Sequence, residues 1–252
     1  MAIGGPGTPV DWVVHMRRLP DGGDLASALR RGLGPAWHEA IGRAAAHLAA
    51  FYAAAPGVPV TGRAYRLRLM LGTRRDLHLL RQPAYGLPAR QLHAVAERQL
   101  ATLERDAALF EARATEGRLV DGHGDLRPEH IWLTDPPAVI DCLEFDAALR
   151  LVDPLDDLAF LDLECGRLAA PGVGRAFLDA YVTATGDAPP SVLLRFYRRY
   201  RALRRATIAA RHLDDPSVRC PAPYLERARQ YLAMAASDAG GVTAPAGPPM
   251  PS

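Results

Sequence analysis

The run His123-Gly124-Asp125-Leu126-Arg127-Pro128-Glu129-His130-Ile131, followed a little later by Val139-Ile140-Asp141, gathers acids, imidazoles and a guanidinium into one segment. These residue types suit phosphoryl transfer. That reaction asks little covalent work of a protein: a carboxylate to orient the attacking hydroxyl, and carboxylate oxygens to hold the divalent ions that bridge the phosphates. Asp125 and Asp141 stand in the right order for those two tasks. Five positions after Asp125 stands His130. Mg2+ prefers oxygen ligands while imidazole suits softer divalent ions, so Asp141 with His130 reads as a single-metal or Mn2+-tolerant site. Two plainer readings compete. Asp is a common turn and cap residue, and His123, His130 and Cys142 are zinc-ligand types, although their spacing matches no common ligand motif.

The same run, HGDLRPEHI with VID after it, resembles the HGDLxxxNI and IDxE pattern of the aminoglycoside phosphotransferase and choline-kinase-like family, within the protein-kinase-like group. The resemblance continues through Asp141-Cys142-Leu143-Glu144-Phe145-Asp146, Leu149 to Pro154 and Asp157-Leu158-Ala159-Phe160. Phe196-Tyr197, Tyr200-Arg201-Ala202 and Arg205-Ala206 are similar to a later helix of the family, and VDWVVHMRRLP resembles its last N-lobe strand and hinge. What this implies is an α+β fold: a kinase-like C-lobe, mainly helical, with a short catalytic β-hairpin and a remnant N-terminal strand. Residues 1–19 would be the remnant strand and hinge, 20–238 the lobe with its catalytic loop at 121–146, and 239–252 a disordered tail. ATP and Mg2+, with Mn2+ as an alternative, are the implied cofactors, and the hydroxyl of a small molecule is the implied acceptor. Asp125 would take or orient the acceptor proton, Arg127 would face the transferred phosphate, and Asp141 would bind the metal. Backbone groups of Met16, Arg17, Arg18 and Leu19 would hold adenine, and His123 would be a structural residue of the loop.

Family members carry a strand pair, a phosphate-covering loop and a Lys paired with a helix Glu before the hinge strand. The nine residues ahead of Val10 do not hold these parts, and the 252 residues contain neither Lys nor Asn. Gly4-Gly5-Pro6-Gly7 is no substitute, because Pro6 removes an amide donor. Three explanations stay open: a start upstream of Met1, a lobe supplied by another chain, or a non-catalytic pseudokinase-type binding or regulatory domain. For the chain as written, weak ATP binding and low turnover are expected. Apolar surface near Trp12 and Val14 would then favour a partner chain or self-association.

Several elements must position this segment. With 49% hydrophobic residues the chain can bury a full core, and a net charge of +2 gives no field that would select nucleic acid or a membrane. Cys142, Cys165 and Cys220 form no disulfide framework, and the N-terminus has no signal-peptide pattern, so a soluble cytoplasmic protein is expected. Residues 10–16 read as a strand ending at the turn Pro20-Asp21-Gly22-Gly23. Asp24 is a candidate N-cap for 25–31, Pro35 opens a helix with Trp37, Ile41, Leu48 and Phe51 on its core face, and 88–113 shows another apolar stripe. Short strands are expected at 118–121, 131–134 and 138–141, then helices at 155–168, 174–185, 191–213 and 224–236. Asp153 and Asp157 read as caps or loop braces. The Arg-rich helix reads as a solvated face pairing with acidic helices, with Arg201 or Arg205 lining an anion pocket.

Overall fold

In the computed structural model, which describes residue 8, residues 15–32 and residues 34–237, the first helix begins at its expected cap. Asp24 Oδ1 accepts from the Ser27 amide at 2.8 Å and starts α1 (Leu25–Arg31). After α2 (Pro35–Ala54) comes α3 (Gly62–Leu80), capped by Thr61 Oγ1 on the Ala64 amide at 3.2 Å. The stripe expected over 88–113 is two helices, α4 (Ala89–Arg105) and α5 (Ala107–Thr115), broken at Asp106. Leu92, Leu103 and Phe110 are nonetheless fully buried as the pattern required.

The middle of the chain is made of two-residue strands. β1 (Val120–Asp121) is followed by the candidate loop, a single 3-10 turn at Pro128–His130, and the hairpin of β2 (Ile131–Trp132) with β3 (Ala138–Val139). Ile131 pairs with Val139 in antiparallel register. A four-residue helix, α6 (Ala147–Arg150), leads into β4 (Leu151–Val152), which pairs antiparallel with β1 so that Val120 faces Val152. The entry to the loop and the approach to the next helix therefore share one ladder.

That next helix, α7 (Pro154–Arg167), is the centre of the molecule. Pro154 stands in its first turn, Asp153 Oδ1 caps the Leu155 amide at 3.0 Å, and Asp156 and Asp157 add negative charge at the positive end of the helix dipole. α8 (Pro171–Thr185) and α9 (Ser191–Arg211) pack against α7, and α10 (Ala222–Ala236) packs on α9. One apolar cluster joins residues of α1, α2, α3, α5, α7, α8 and α9, including Leu25, Leu48, Leu69, Phe110, Leu158, Phe177 and Phe196. A second joins Leu80, Leu92, Phe160, Leu203 and Tyr231 between α4, α9 and α10. No helix among the described residues is long and apolar enough to cross a membrane.

Some expectations are corrected. Phe51 is 49% exposed, because Ile41, Ala44, Leu48 and Tyr52 define the buried face of α2 and Phe51 lies one residue, about 100°, away from Tyr52. The arginines of α9 do pair with acids of neighbouring helices, but not on a solvated face: Arg201 keeps 11% of its side chain exposed. β4 and α3 had no counterpart in the sequence reading. Of the proposed strand at 10–16, residues 10–14 lie outside the described residues, and His15 and Met16 have no regular structure. The tail at 239–252, together with Trp12 and Val14, also lies outside them.

A buried ionic node ties α5 to α7, α8 and α9. Arg113 donates to both oxygens of Asp153, at 2.7 and 2.8 Å, and to both oxygens of Asp187, at 2.8 and 2.7 Å. Tyr197 completes Asp153 at 3.0 Å and Tyr181 completes Asp187 at 2.7 Å. Such a node is costly to interrupt, since removing one partner strands buried charge. Burial pushes the Asp187 carboxyl up, but the hydrogen bonds from Arg113 and Tyr181 outweigh it and hold the group below its ordinary value. Arg113→Met is expected to lose about 3–5 kcal/mol in chemical denaturation. A carboxyl held low stabilises the fold above its unfolded-state pKa, roughly 4, and that contribution disappears as pH falls through the lower folded-state value. Thermal melts of Asp187→Asn should therefore show a shallower loss of stability in acid than the parent protein.

Candidate active site

The loop after β1 is shaped by its glycines and by one buried carboxylate. A Cβ on Gly122 would stand 2.6 Å from Val152 Cγ2 and 2.9 Å from Asp157 Oδ2. Gly124 has a positive φ of 81°, and a Cβ there would meet the Leu149 carbonyl oxygen at 2.6 Å, so only glycine fits. Beneath them Asp157, with no exposure, accepts from the His123 amide at 2.9 Å, the Gly124 amide at 3.1 Å and the Tyr52 hydroxyl at 2.9 Å. Burial first, then the charge of Asp157, keeps the Tyr52 phenol well above its ordinary pKa, so it remains a donor. Arg201 grips the other side of the backbone. Its Nη1 donates to the Gly124 carbonyl at 2.6 Å, while Nε and Nη2 each reach Asp156 at 2.7 Å.

On this frame the structure brings together four of the residues singled out by sequence. Arg127 Nε donates to Asp125 Oδ2 at 3.0 Å, and Arg127 Nη2 lies 2.8 Å from His130 Nε2. His130 Nδ1 is 2.9 Å from the Asp125 carbonyl oxygen, an acceptor only, so Nδ1 carries the proton and Nε2 offers a lone pair to Arg127. Burial, then the Arg127 guanidinium, holds the His130 imidazole below its ordinary pKa. His123 stacks on His130 with centroids 5.4 Å apart. Its Nε2 donates to the Ile140 carbonyl at 2.8 Å and its Nδ1 accepts from the Asp125 amide at 3.3 Å, so both nitrogens brace the loop.

Asp141 Oδ2 lies 3.2 Å from His130 Nε2. The Nε2 lone pair is taken by Arg127, and with that guanidinium displaced the nitrogen and the carboxylate oxygen would stand at a separation that one shared cation can bridge. A metal-binding imidazole is commonly fixed by an Nδ1–H to carbonyl bond of the kind His130 makes to Asp125. The pair therefore fits two ligand positions of a divalent ion. Among the described residues no group of three or more His, Cys, Asp or Glu side chains is placed to hold a metal, so the zinc reading of His123, His130 and Cys142 has no support. Asp141 itself has a φ of 63°, in the left-handed region that costs residues other than glycine roughly 1–2 kcal/mol, and its side chain is 71% exposed. Strained backbone of this kind is concentrated at functional sites.

Met16 to Leu19 have no regular structure, and the side chains of Met16, Arg17 and Arg18 are exposed. The chain just after it is fastened to the β2–β3 hairpin: the Leu133 amide donates to the Gly23 carbonyl at 2.9 Å, and Asp24 bridges to Trp132. Asp153 and Asp157 act as cap and brace, in line with the sequence reading. Sequence reasoning missed Tyr52, which meets Asp157 from 105 residues away and carries no local signal. Arg205, flagged only as an anion-pocket residue, reaches to 3.9 Å from Asp125 Oδ1.

A helical lobe built around a short hairpin and a braced Gly-Asp loop is a kinase-like C-lobe. Its likeness is to glucosamine kinase, solved in complex with glucosamine, ADP and inorganic phosphate: TM-score 0.56 at 20% identity, covering 84% of this chain and 58% of that one. A second crystal form of glucosamine kinase gives the same TM-score at 21% identity, covering 84% of this chain and 56% of that one. At this identity the likeness shows the fold. By sequence, uncharacterized proteins of Mycobacterium tuberculosis and Mycobacterium bovis are 45% identical over 101 residues, or 40% of this chain. The chain spans 20% of the length of these curated relatives. No family model matches it.

Replacing the strained Asp141 separates its two roles. Asp141→Gly should melt at or above the parent temperature, because glycine adopts a positive φ without penalty. Titration with Mn2+ should at the same time show weakened binding. Unchanged Mn2+ affinity would remove Asp141 from the ligand set.

Proposed function

We propose that this chain is the catalytic lobe of a phosphotransferase that moves the terminal phosphoryl group of a nucleoside triphosphate, ATP in the first instance, to the hydroxyl of a small molecule. One observation carries this reading: the Asp125 carboxylate borders an open cleft of about 900 Å3, while the Asp141 and His130 acceptors stand together beside the same loop. Asp125 would orient the acceptor hydroxyl and take its proton as the oxygen attacks phosphorus. Arg127, already at hydrogen-bond distance from Asp125, would turn its charge toward the phosphoryl oxygens. Asp141 and His130 would hold one divalent ion, Mg2+ or Mn2+, which supplies charge neutralisation at the nucleotide phosphates. Backbone groups of Met16, Arg17, Arg18 and Leu19 would border adenine, a position favoured by the attachment of residues 23 and 24 to the β2 edge.

The family pattern adds a Lys directed at the nucleotide phosphates, and the 252 residues contain none. That charge would come from Arg127, from a segment preceding residue 1, or from a partner chain docked beside the hairpin. A second reading, in which the lobe binds its ligands without transferring phosphate, is favoured by His130 standing where protein kinases place a metal-binding Asn.

The test is transfer of labelled γ-phosphate to a panel of hydroxyl compounds with Mg2+ or Mn2+. Asp125→Asn should lower the rate at least ~100-fold without changing the melting temperature. His130→Asn, which exchanges nitrogen for an oxygen ligand, should shift the preference from Mn2+ toward Mg2+. Equal rates for the parent and Asp125→Asn would refute the transferase assignment, and unlabelled products with intact ligand binding would establish the second reading.

A further inference from the structure

The cleft beside Asp125 has a chemical character of its own. Five arginines line it, Arg68, Arg75, Arg201, Arg204 and Arg205, against two carboxylates, Asp125 and Asp156. Asp156 is already matched by Arg201 through two bonds of 2.7 Å. Arg68 donates to the carbonyl oxygens of Ala148 and Leu151, which orient its guanidinium without cancelling the charge. Arg204 and Arg75 share one acid, Asp76, at 3.3 and 3.9 Å. Asp76 is fully buried, its Oδ2 has no hydrogen-bond partner, and burial pushes its carboxyl up to about 7, so at neutral pH it offsets only part of two positive charges. Arg205 stacks over Phe160 and Tyr231 and faces Asp125.

The rim is apolar. Among the described residues six large hydrophobic side chains are notably exposed, and four of them, Leu67, Leu71, Phe145 and Ile208, line this one cleft. Clustering at the mouth of a cavity is what an apolar ligand surface would require. Arg127, His130 and Asp141 are not among the lining residues, so the cleft and its arginines are separate from the pair assigned to the metal and its phosphates. With Asp125 in its lining, the cleft is the place where an acceptor would meet that carboxylate.

We propose that the acceptor bound in this cleft is a small hydroxylated anion, a carboxylate or phosphate ester with an apolar body, and not an amine. This rests on the reading of Asp125 as the residue that meets the acceptor. It differs from the amino sugar that gives the structural neighbour its name, whose ammonium would be repelled by Arg68, Arg75 and Arg204. The anionic group would pair with those guanidiniums, its apolar body would cover Leu67, Leu71 and Phe145, and its hydroxyl would point to Asp125.

A charge-switched series isolates the claim: 4-(hydroxymethyl)benzoate, 1,4-benzenedimethanol and 4-(hydroxymethyl)benzylamine share a ring and a hydroxyl and differ in charge. Titrated by calorimetry into the nucleotide-free chain, alongside glucosamine, the benzoate should bind about tenfold or more tightly than the diol, and more weakly as salt is raised. Arg204→Gln should weaken that binding about tenfold. Arg75→Gln, at a side chain 54% exposed, should weaken it in the same direction, with folding checked by an unchanged melting temperature. The proposal is overturned if the benzoate shows no saturable binding, if the amine or glucosamine binds as tightly, or if both variants bind it like the parent. Phosphoryl transfer to glucosamine would overturn it while leaving the transferase reading in place. Charge-selective binding without transfer would uphold the cleft assignment and refute only the transferase.

Discussion

The site depends on Asp157 and on the arginine beside it. A loop that must present one carboxylate to solvent cannot hold itself in a single shape through helix or sheet bonds, and here it receives only two residues of strand before it and two after. Its amides are instead collected from below by a carboxylate with no exposure, and its Gly124 carbonyl by Arg201. Charge-assisted bonds of this kind are stronger than bonds between neutral groups. They hold the backbone on both its donor and its acceptor side, so Asp125 owes its position to α7 and α9 as well as to the two histidines of its own loop.

The same economy appears throughout the lobe. Paired charges inside a protein are rarely a net source of stability, because the cost of desolvating them approaches what their attraction returns. The fold accepts that cost at the points where two or three helices must be kept in register: Arg113 between Asp153 and Asp187, and Arg201 across Asp156 and Asp157. Each guanidinium is planar and forked, which allows it to meet carboxylates two bonds at a time. A chain with arginine as its sole long cation can build such nodes readily, and the stability of the lobe then comes from the two apolar clusters that surround them.

Much of this was legible in the sequence, for reasons that can be named. Helices with clean apolar periodicity or an explicit cap, such as α1 behind Asp24 and α7 behind Asp153, announce themselves locally. The candidate loop was visible because its residues are consecutive. α3 was not visible, because its buried stripe runs Tyr65, Leu69, Thr73, Asp76 and Leu80 and alternates polar with apolar residues. Asp76 sits inside that stripe to meet Arg204, a partner 128 residues distant, and no window short enough to show helical period contains both. β4 is two residues long, and Tyr52 and Arg205 matter only through what lies across from them. What sequence leaves hidden here is the set of long-range pairings between polar residues that resemble surface residues when read alone.

The contact of Arg127 with His130 has one more consequence. The lone pair on His130 Nε2 can be given to one acid at a time, and in the structure the guanidinium has it. Any cation that settles between His130 and Asp141 must first evict that guanidinium, and Arg127, once evicted, keeps only its bond to Asp125. Occupancy on one side of the loop thereby sets the freedom of a side chain on the other. Filling the proposed ion site would thus remove one of the two contacts that hold Arg127 and leave it tied to the Asp125 carboxylate alone.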